Sequence, residues 1–577
     1  MTGRRRTAAR LVAGLGACLL AAGCASIPSS SPPQIISETP PRATEPAAEG
    51  DIRYDGIAPR PGEQPEDIVR DFLRVAGSYE RDHARARAYL TQRGSRTWKA
   101  DIRTVVLEDP PYLLVQDGGS IVQMSAQQRG RVEADGSYIA ARAPYPYTFR
   151  LAKVNGEWRI ENPPEGLLIE ANTFAAAFRS YNVYFLDSTR TKVVPDPRWF
   201  AAPREALPSR LVTAIEQGPS QWLAGAVRSD LEDATLQINV VQEGGRVKVY
   251  LSGRGVGSAD TLSDGAFAQL VWTLNQLGVG GVEVYIDGRE VRPVRAPNRF
   301  EQRLSDWRGF DPEGLPASTP ALFIRNGAVW TTADAPLPGP AGRPGYNATT
   351  VAQSTTGSLA VVRRASQGGF TLFVGTSSAL RPTVSGETLT PPTWASADDE
   401  VWTVRNGREV VLVPATGATR RVSAALDKLG PVRSLRLSRD GSRVAVVAGS
   451  RGQEQLHLGV VIRDNSGSVR IERLQLLDVG EAGVADVSWL DALTLVVLVQ
   501  DGLQDNALHT VSVDRANTSR LVGRSQLPGP PVAVAAASTL PLLTVAAGTL
   551  WRTLAIDDSW SPVDGRTDAA SAPAYPG

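Results

Sequence analysis

The residue types that carry most covalent and metal chemistry are scarce in this 577-residue chain: two cysteines, Cys18 and Cys24, and three histidines, His83, His457 and His509. Only Cys24 has surroundings that specify a reaction. Arg4, Arg5, Arg6 and Arg10 precede an apolar run from Leu11 to Ala22, and Leu19-Leu20-Ala21-Ala22-Gly23 leads small residues up to the thiol. Basic, then apolar, then small is the order of an export signal, and the run is too short for a permanent span of the bilayer. A cysteine directly after the small residues makes a lipobox, although Ala21 stands where leucine is commonest and Leu20 comes one place earlier. We expect cleavage before Cys24 and acylation there, with S-diacylglycerol on the thiol and N-palmitoyl on the new amine. Each buried methylene adds about 0.8 kcal/mol of membrane affinity, and stable anchoring takes more than one chain. Cys18 leaves with the leader, so the mature chain would hold one lipidated cysteine and no disulfide.

Other chemistry finds little support. Zinc sites of the Cys/His type lack ligands, and His457 and His509 stand singly beside apolar strands, where surface or core roles fit better than metal binding. There is no HExxH, no Gly-x-Ser-x-Gly elbow and no phosphate loop. In Gly253-Arg254-Gly255-Val256-Gly257, Ser258 takes the place of a third glycine, and a mobile loop is expected rather than a dinucleotide site. We expect no catalytic residue, cofactor or metal. A carboxylate-only hydrolase stays open, because Asp and Glu are common and propellers host glycosidases. Lys plus Arg is 61 against 60 for Asp plus Glu; losing the four leader arginines leaves 57 against 60, and nothing favours a nucleic-acid partner.

The elements that must position these residues fall into successive segments. Residues 1–23 form the leader, and 24–58, rich in Ser and Pro with few aromatics, read as a disordered tether broken by Ile35-Ile36, a spacer rather than a docking peptide. Residues 59–172 open with Pro65-Glu66-Asp67 and a helical face of Ile68, Val69, Phe72, Leu73 and Ala76, then a helical piece over 81–90. Strands follow at 104–107, 121–126, 137–140 and 147–151, the last joined through Asn155-Gly156 to 158–160. Helices before a curved antiparallel sheet resemble the nuclear-transport-factor-like α+β fold, with Gly156-Glu157-Trp158-Arg159-Ile160 placed like its last strand. That fold often carries a pocket, which His83 or Asp101 could line; with no acid–base partner evident, His83 reads as a helix-surface residue.

Residues 173–306 alternate strands and helices. Strands are expected at 181–186, 192–195, 246–251 and 282–287; Ser209 should cap a helix ending at Gly218-Pro219, and Ser263-Asp264 another bearing Phe267, Leu270, Val271 and Leu274. Val183-Tyr184-Phe185, Gln217-Gly218-Pro219, Ala268–Leu274 and Ile286-Asp287-Gly288 resemble the α+β GerMN domain, which implies a binding module without an agreed catalytic residue.

From 307 to 563 similar short strands recur around Ala352, Trp394, Leu437, Trp489 and Val534, at spacings of 42, 43, 52 and 45 residues. Such periods indicate propeller blades or a solenoid; as a propeller the segment would make five or six blades, with a ring closed by strands from both ends. Ser438-Arg439-Asp440-Gly441 resembles a blade turn of the TolB and YVTN type, and the repeated Asp and Trp read as turn and packing residues. Residues 564–577 are expected to be a disordered tail.

Lipobox, proline-rich tether, nuclear-transport-factor-like domain, GerMN domain and degenerate propeller, in this order, resemble the actinobacterial LpqB lipoprotein family over the whole length. The resemblance implies a lipid-anchored, non-enzymatic accessory protein on the extracytoplasmic face of the cell membrane. Its implied partner is the extracellular domain of the MtrB sensor histidine kinase, and its implied role is to modulate the MtrA–MtrB two-component pathway in envelope homeostasis. An envelope glycan or peptidoglycan binder is the alternative, and a propeller glycan hydrolase a further one.

Overall fold

A computed structural model describes residues 58–577, apart from gaps at 78–80, 202–204, 254–260, 396–399, 415–417, 465, 481–482, 502–504, 516–517, 521–526 and 554–558. The leader, Cys24, all of the tether but Ala58, and the glycine loop from Arg254 onward therefore lie outside the described residues.

Helix α1 (Pro65–Ala76) begins as its proline and acids dictate and buries Ile68, Val69, Phe72, Leu73 and Ala76. It packs against a bent sheet made of β1 (Arg103–Leu107), β2 (Tyr112–Gln116), β3 (Ile121–Glu133), β4 (Tyr138–Val154), β5 (Glu157–Ile160) and β6 (Leu167–Glu170). The order is β5-β4-β3-β1-β6, with β2 alongside β3. The pieces expected separately at 137–140 and 147–151 are one strand, β4. A bulge between Gln128 and Gly130 lets β3 and β4 bend without parting. Asn155 (φ 53°) and Gly156 (φ 87°) supply the two left-handed residues that turn β4 into β5.

The second domain comprises β7 (Arg179–Leu186), β8 (Val193–Phe200), α2 (Leu207–Glu216), β9 (Thr235–Leu236), β10 (Val241–Glu243), β11 (Arg246–Ser252), β12 (Thr261–Leu262), α3 (Asp264–Asn275), β13 (Gly281–Ile286), β14 (Arg289–Glu290) and β15 (Arg292–Pro293). One sheet runs β10-β11-β13-β14, its central β11–β13 pair parallel, while β7 and β8 form a separate hairpin. Val247, Val249, Val282 and Val284 join the helices in one core. The Ser263 hydroxyl caps α3 by accepting from the Ala266 amide at 3.1 Å. Ser209 does not cap: α2 starts two residues earlier with Pro208 in its first turn, and the Ser209 hydroxyl accepts from the Val240 amide instead.

Among the described residues the third domain consists of six sheets, five with four strands and one with five. Their innermost strands are Ala348–Gln353, Thr393–Trp394, Val432–Leu437, Gly483–Asp491, Pro531–Ala535 and Ala570–Ala574. Each touches the next and the last touches the first, a closed six-bladed propeller. The five positions that mark the repeat all lie on innermost strands. Six apolar clusters fill the six seams between blades, with Trp394 in one and Trp489 in another. The expected tail is corrected: 570–574 is the innermost strand of the first blade, antiparallel to Leu322–Arg325, and closes the ring. A ring whose blades pack only on neighbours needs that strand to cover two seams.

Candidate functional site

The three domains converge on buried arginines. Arg443 follows the Ser438–Gly441 turn and opens the apolar strand Arg443–Ala448, fully buried. Its guanidinium pairs with Asp440 Oδ2 at 3.3 Å, donates to the Pro195 carbonyl of the second domain, and lies 5.9 Å from the Trp222 ring centre. Burial holds its pKa below the usual arginine range, opposed by Asp440 and Asp196. Asp440 in turn accepts from the Ser438 and Ser442 hydroxyls and the Ser442 amide, which fixes the turn. Arg198, also fully buried, pairs with Asp196 at 2.7 Å and with Asp135 of the first domain at 3.1 Å. From the propeller, Arg473 donates to the carbonyls of Trp222 and Ala224, and Arg515 to that of Ala140 in the first domain. Both sit at positive φ, 53° and 61°, conformations that non-glycine residues hold only where surroundings enforce them. The Trp199 indole donates to Asp514 at 3.1 Å.

Between these contacts lies a cleft of about 700 Å³ walled by all three domains, with Arg131, Glu133 and Tyr138 from the first, Trp222 from the second, and Arg473 and Asp514 from the propeller. Junctions of this size are where ligand and partner sites concentrate. Its carboxylates are held by neighbours: Glu133 by Arg131, Asp135 by Ser137 and Arg198, Asp196 by Arg198 and the Ser220 amide. Burial pushes the Tyr138 hydroxyl up to about 12. The cleft thus offers a shaped surface whose carboxylates Glu133, Asp135 and Asp196 are each ion-paired.

A second cavity, of about 330 Å³, joins the first two domains and is lined by His83 and Asp101 together. The helix-surface reading of His83 is corrected: the residue is left-handed (φ 49°), ends a 3-10 turn, and packs edge-on to Trp98 with its Nε2 3.4 Å from Asp101. At the centre of the ring, Arg439 bridges Glu313 at 3.1 Å, the Trp489 and Ala536 carbonyls and the Pro576 carbonyl. Burial raises the Glu313 carboxyl to about 7 despite Arg439, helped by Asp491 and Asp440. His457 is buried on its strand and its pKa falls for that reason, while His509 lies mid-strand between neighbours Val497 and Arg520. Among the described residues no three His, Cys, Asp or Glu side chains are grouped to hold a metal ion. Likewise, no described helix is long and apolar enough to cross a membrane.

Three family descriptions match in chain order: the LpqB lipoprotein N-terminal domain over 58–175, the sporulation and spore germination (Germane) domain over 182–292, and the LpqB lipoprotein beta-propeller domain over 327–576. Lipoprotein LpqB of Mycolicibacterium smegmatis is 31% identical over 76% of this chain and 77% of its own. The chain belongs to the LpqB lipoprotein family. The LpqB of Rhodococcus jostii is 29% identical with both chains covered in full, and that of Nocardia farcinica is 28% identical over 98% of each. TolB from Acinetobacter baumannii is 12% identical over 47% of this chain and 69% of its own, at a TM-score of 0.36. Membership accounts for the order of the three domains. The contacts that lock LpqB-type domains together here, through Arg443, Arg198, Arg473 and Arg515, were not read from the sequence. One signal was legible: an arginine opening the otherwise apolar run Val444-Ala445-Val446-Val447 has to find a buried partner.

Proposed function

We propose that the chain is an accessory lipoprotein, held through acylated Cys24 at the outer face of the cell membrane. There it binds the extracellular domain of an MtrB-type sensor histidine kinase and modulates the MtrA–MtrB pathway. The observation that carries this reading is the arginine-held junction. It locks three domains into one body around a common cleft whose carboxylates Glu133, Asp135 and Asp196 are ion-paired, which suits presenting a surface. Membership of a lipoprotein family supports the anchored setting.

The test is capture. The whole chain carrying Cys24→Ser is passed over the immobilised extracellular domain of the kinase, and a pathway reporter is read with and without the gene. Saturable binding at micromolar concentration or below, with an altered reporter on deletion, is expected. No binding at micromolar concentration together with an unchanged reporter would overturn the reading.

A further inference from the structure

Between Asp334 and Glu387 the chain has no acidic residue and no lysine, yet it carries Arg343, Arg363, Arg364 and Arg381, whereas over the whole length cations and anions are matched at 61 against 60. This stretch folds as the approach to the second blade and the blade itself, with strands Ala348–Gln353, Leu359–Arg364, Phe370–Gly375 and Leu380–Gly386. In a closed ring of six the second blade stands across from the fifth. The junction with the first two domains is made by the fourth and fifth, through Arg443, Arg473, Asp514 and Arg515. The acid-free blade is therefore turned away from the junction, and none of the junction's contacts reaches it.

Its arginines rest on aromatic rings. The Arg363 guanidinium lies between two of them, 5.2 Å from the centre of Tyr346 and 5.7 Å from that of Phe373, and Arg364 lies 4.9 Å from the centre of Phe370. Arg343 is joined to Tyr346 by a turn in which the Tyr346 amide donates to the Arg343 carbonyl at 3.3 Å. Arg343, Arg364 and Arg381 are exposed, and the three rings are partly so. Among the described residues no carboxylate pairs with Arg343, Arg363 or Arg364. Of the bordering acids, Asp334 is held by Arg566, and Glu409 on the third blade by Arg405 and Arg421. Glu387 is exposed, so four arginines stand against one open acid. A guanidinium on a ring face keeps its charge and its outer donors while the ring adds apolar surface beside it. The boundary of a bilayer suits both halves of that pair: phosphate oxygens take the guanidinium, and amphipathic rings sit at headgroup depth. A peptide partner would need pockets for its side chains, and neither the three-domain cleft nor the His83 cavity extends to this blade.

We infer that the outer part of the second blade is a docking surface for anionic phospholipid headgroups, with Arg343, Arg364 and Arg381 meeting phosphate and Arg363 holding the Tyr346 and Phe373 rings beside them. This rests on the membrane setting of the proposed function and not on the kinase. Alone, such a patch is a weak and salt-sensitive contact; beside a lipid anchor it sets which side of the ring faces the bilayer.

The whole chain carrying Cys24→Ser is sedimented with vesicles of phosphatidylglycerol and phosphatidylcholine in equal parts, and with vesicles of phosphatidylcholine alone. Binding to the mixed vesicles only is expected at about 50 mM salt, with release at about 500 mM. Arg343→Gln, Arg364→Gln and Arg381→Gln together should weaken it about tenfold or more, whereas lysine at the same three positions should keep most of it. With the blade unaltered, hydrogen exchange should slow over residues 364–371 when mixed vesicles are added, a readout that needs no blade variant to fold. No binding to the mixed vesicles, equal binding to both kinds, or binding indifferent to the triple glutamine variant overturns the proposal. Displacement by millimolar inorganic phosphate at fixed ionic strength would mark a free-phosphate site, and capture of poly-L-glutamate without vesicle binding would mark an interface for an acidic protein; either result sinks the lipid reading. Kinase capture by the triple glutamine variant should be unchanged, so a failure on vesicles leaves the kinase reading standing.

Discussion

Arg443 shows how much one residue decides here. It links the Asp440 turn to the Pro195 carbonyl while fully buried, where water cannot replace either contact. Arg443→Ala would strand a buried carboxylate, a loss that costs about 3–5 kcal/mol. We expect a lowered melting temperature and faster proteolysis between the second domain and the propeller. Arg443→Lys should recover only part of this, since an ammonium lacks the fork that reaches both partners. Glu313 gives a pH signature. Its carboxyl titrates near 7 when folded against an ordinary value of 4.5, so between those values the native state binds more protons than the unfolded one. The Glu313 contribution to stability therefore falls as pH rises through that window, by up to about 1.4 kcal/mol per unit, and is flat above it. Glu313→Gln should remove the Glu313 share of that slope in denaturant melts taken from pH 4.5 to 7, while Glu216 and Asp486, also raised by burial, still add to the fall and His457, lowered by burial, opposes it. The lowered pKa values of Asp334, Asp464, Asp568 and Glu409 act below the ordinary carboxylate range and leave this window alone. At this scale the sequence was partly legible. Trp394, Trp489 and the Asp440 turn do the packing and turning their repetition implies, and His83 and Asp101 line a pocket as the fold resemblance allows, whereas the left-handed backbone that takes His83 off the helix surface leaves no mark in local pattern.

Among the elements, the strand Ala570–Ala574 is the most informative. Ala570-Ser571-Ala572-Pro573-Ala574 reads as tail because small residues and a proline carry no strand propensity. Its place explains the composition. Innermost strands crowd toward the propeller axis, where small side chains fit, and this one borders seams with both the second and the sixth blade. Ending the chain after Asp568 would bare the backbone edge of Leu322–Arg325 and open those seams. We expect loss of the cooperative propeller transition in calorimetry and gain of hydrophobic-dye binding; an unchanged melt would show that the ring closes without this strand. Elements with strong local signals were readable: α1 from its proline, acids and apolar face, the β4–β5 hairpin from Asn-Gly, and α3 from Ser263. The extent of β4 was not, since a bulge between paired strands is a property of the pair. The β2 edge strand was missed for a related reason: it exposes Tyr112, Leu114 and Val115, so it lacks the alternation that marks a half-buried strand.

At the scale of the molecule, order of domains was legible and their mutual packing was not. The three domain signatures are written in sequence, but the junction arises from residues hundreds of positions apart, as Trp199 with Asp514 or Arg515 with Ala140. Two consequences belong here. The Cys24→Ser chain should move from the membrane to the soluble fraction on cell fractionation; retention at the membrane would mean that something other than the lipid holds it. Loss of the junction should also weaken partner capture without unfolding any single domain, since the cleft exists only when all three meet. Arg473→Ala, which removes a guanidinium that donates to the Trp222 and Ala224 carbonyls across the interface, is the mild variant for that test: we expect reduced capture with an almost unchanged melt. The most direct test of the central claim is crosslinking in intact cells, followed by mass spectrometry of whatever is joined to this chain, in parallel with Cys24→Ser. The account predicts that the sensor kinase is recovered with the lipidated chain and depleted with the serine variant. A lipidated chain from which the kinase is never recovered would contradict it.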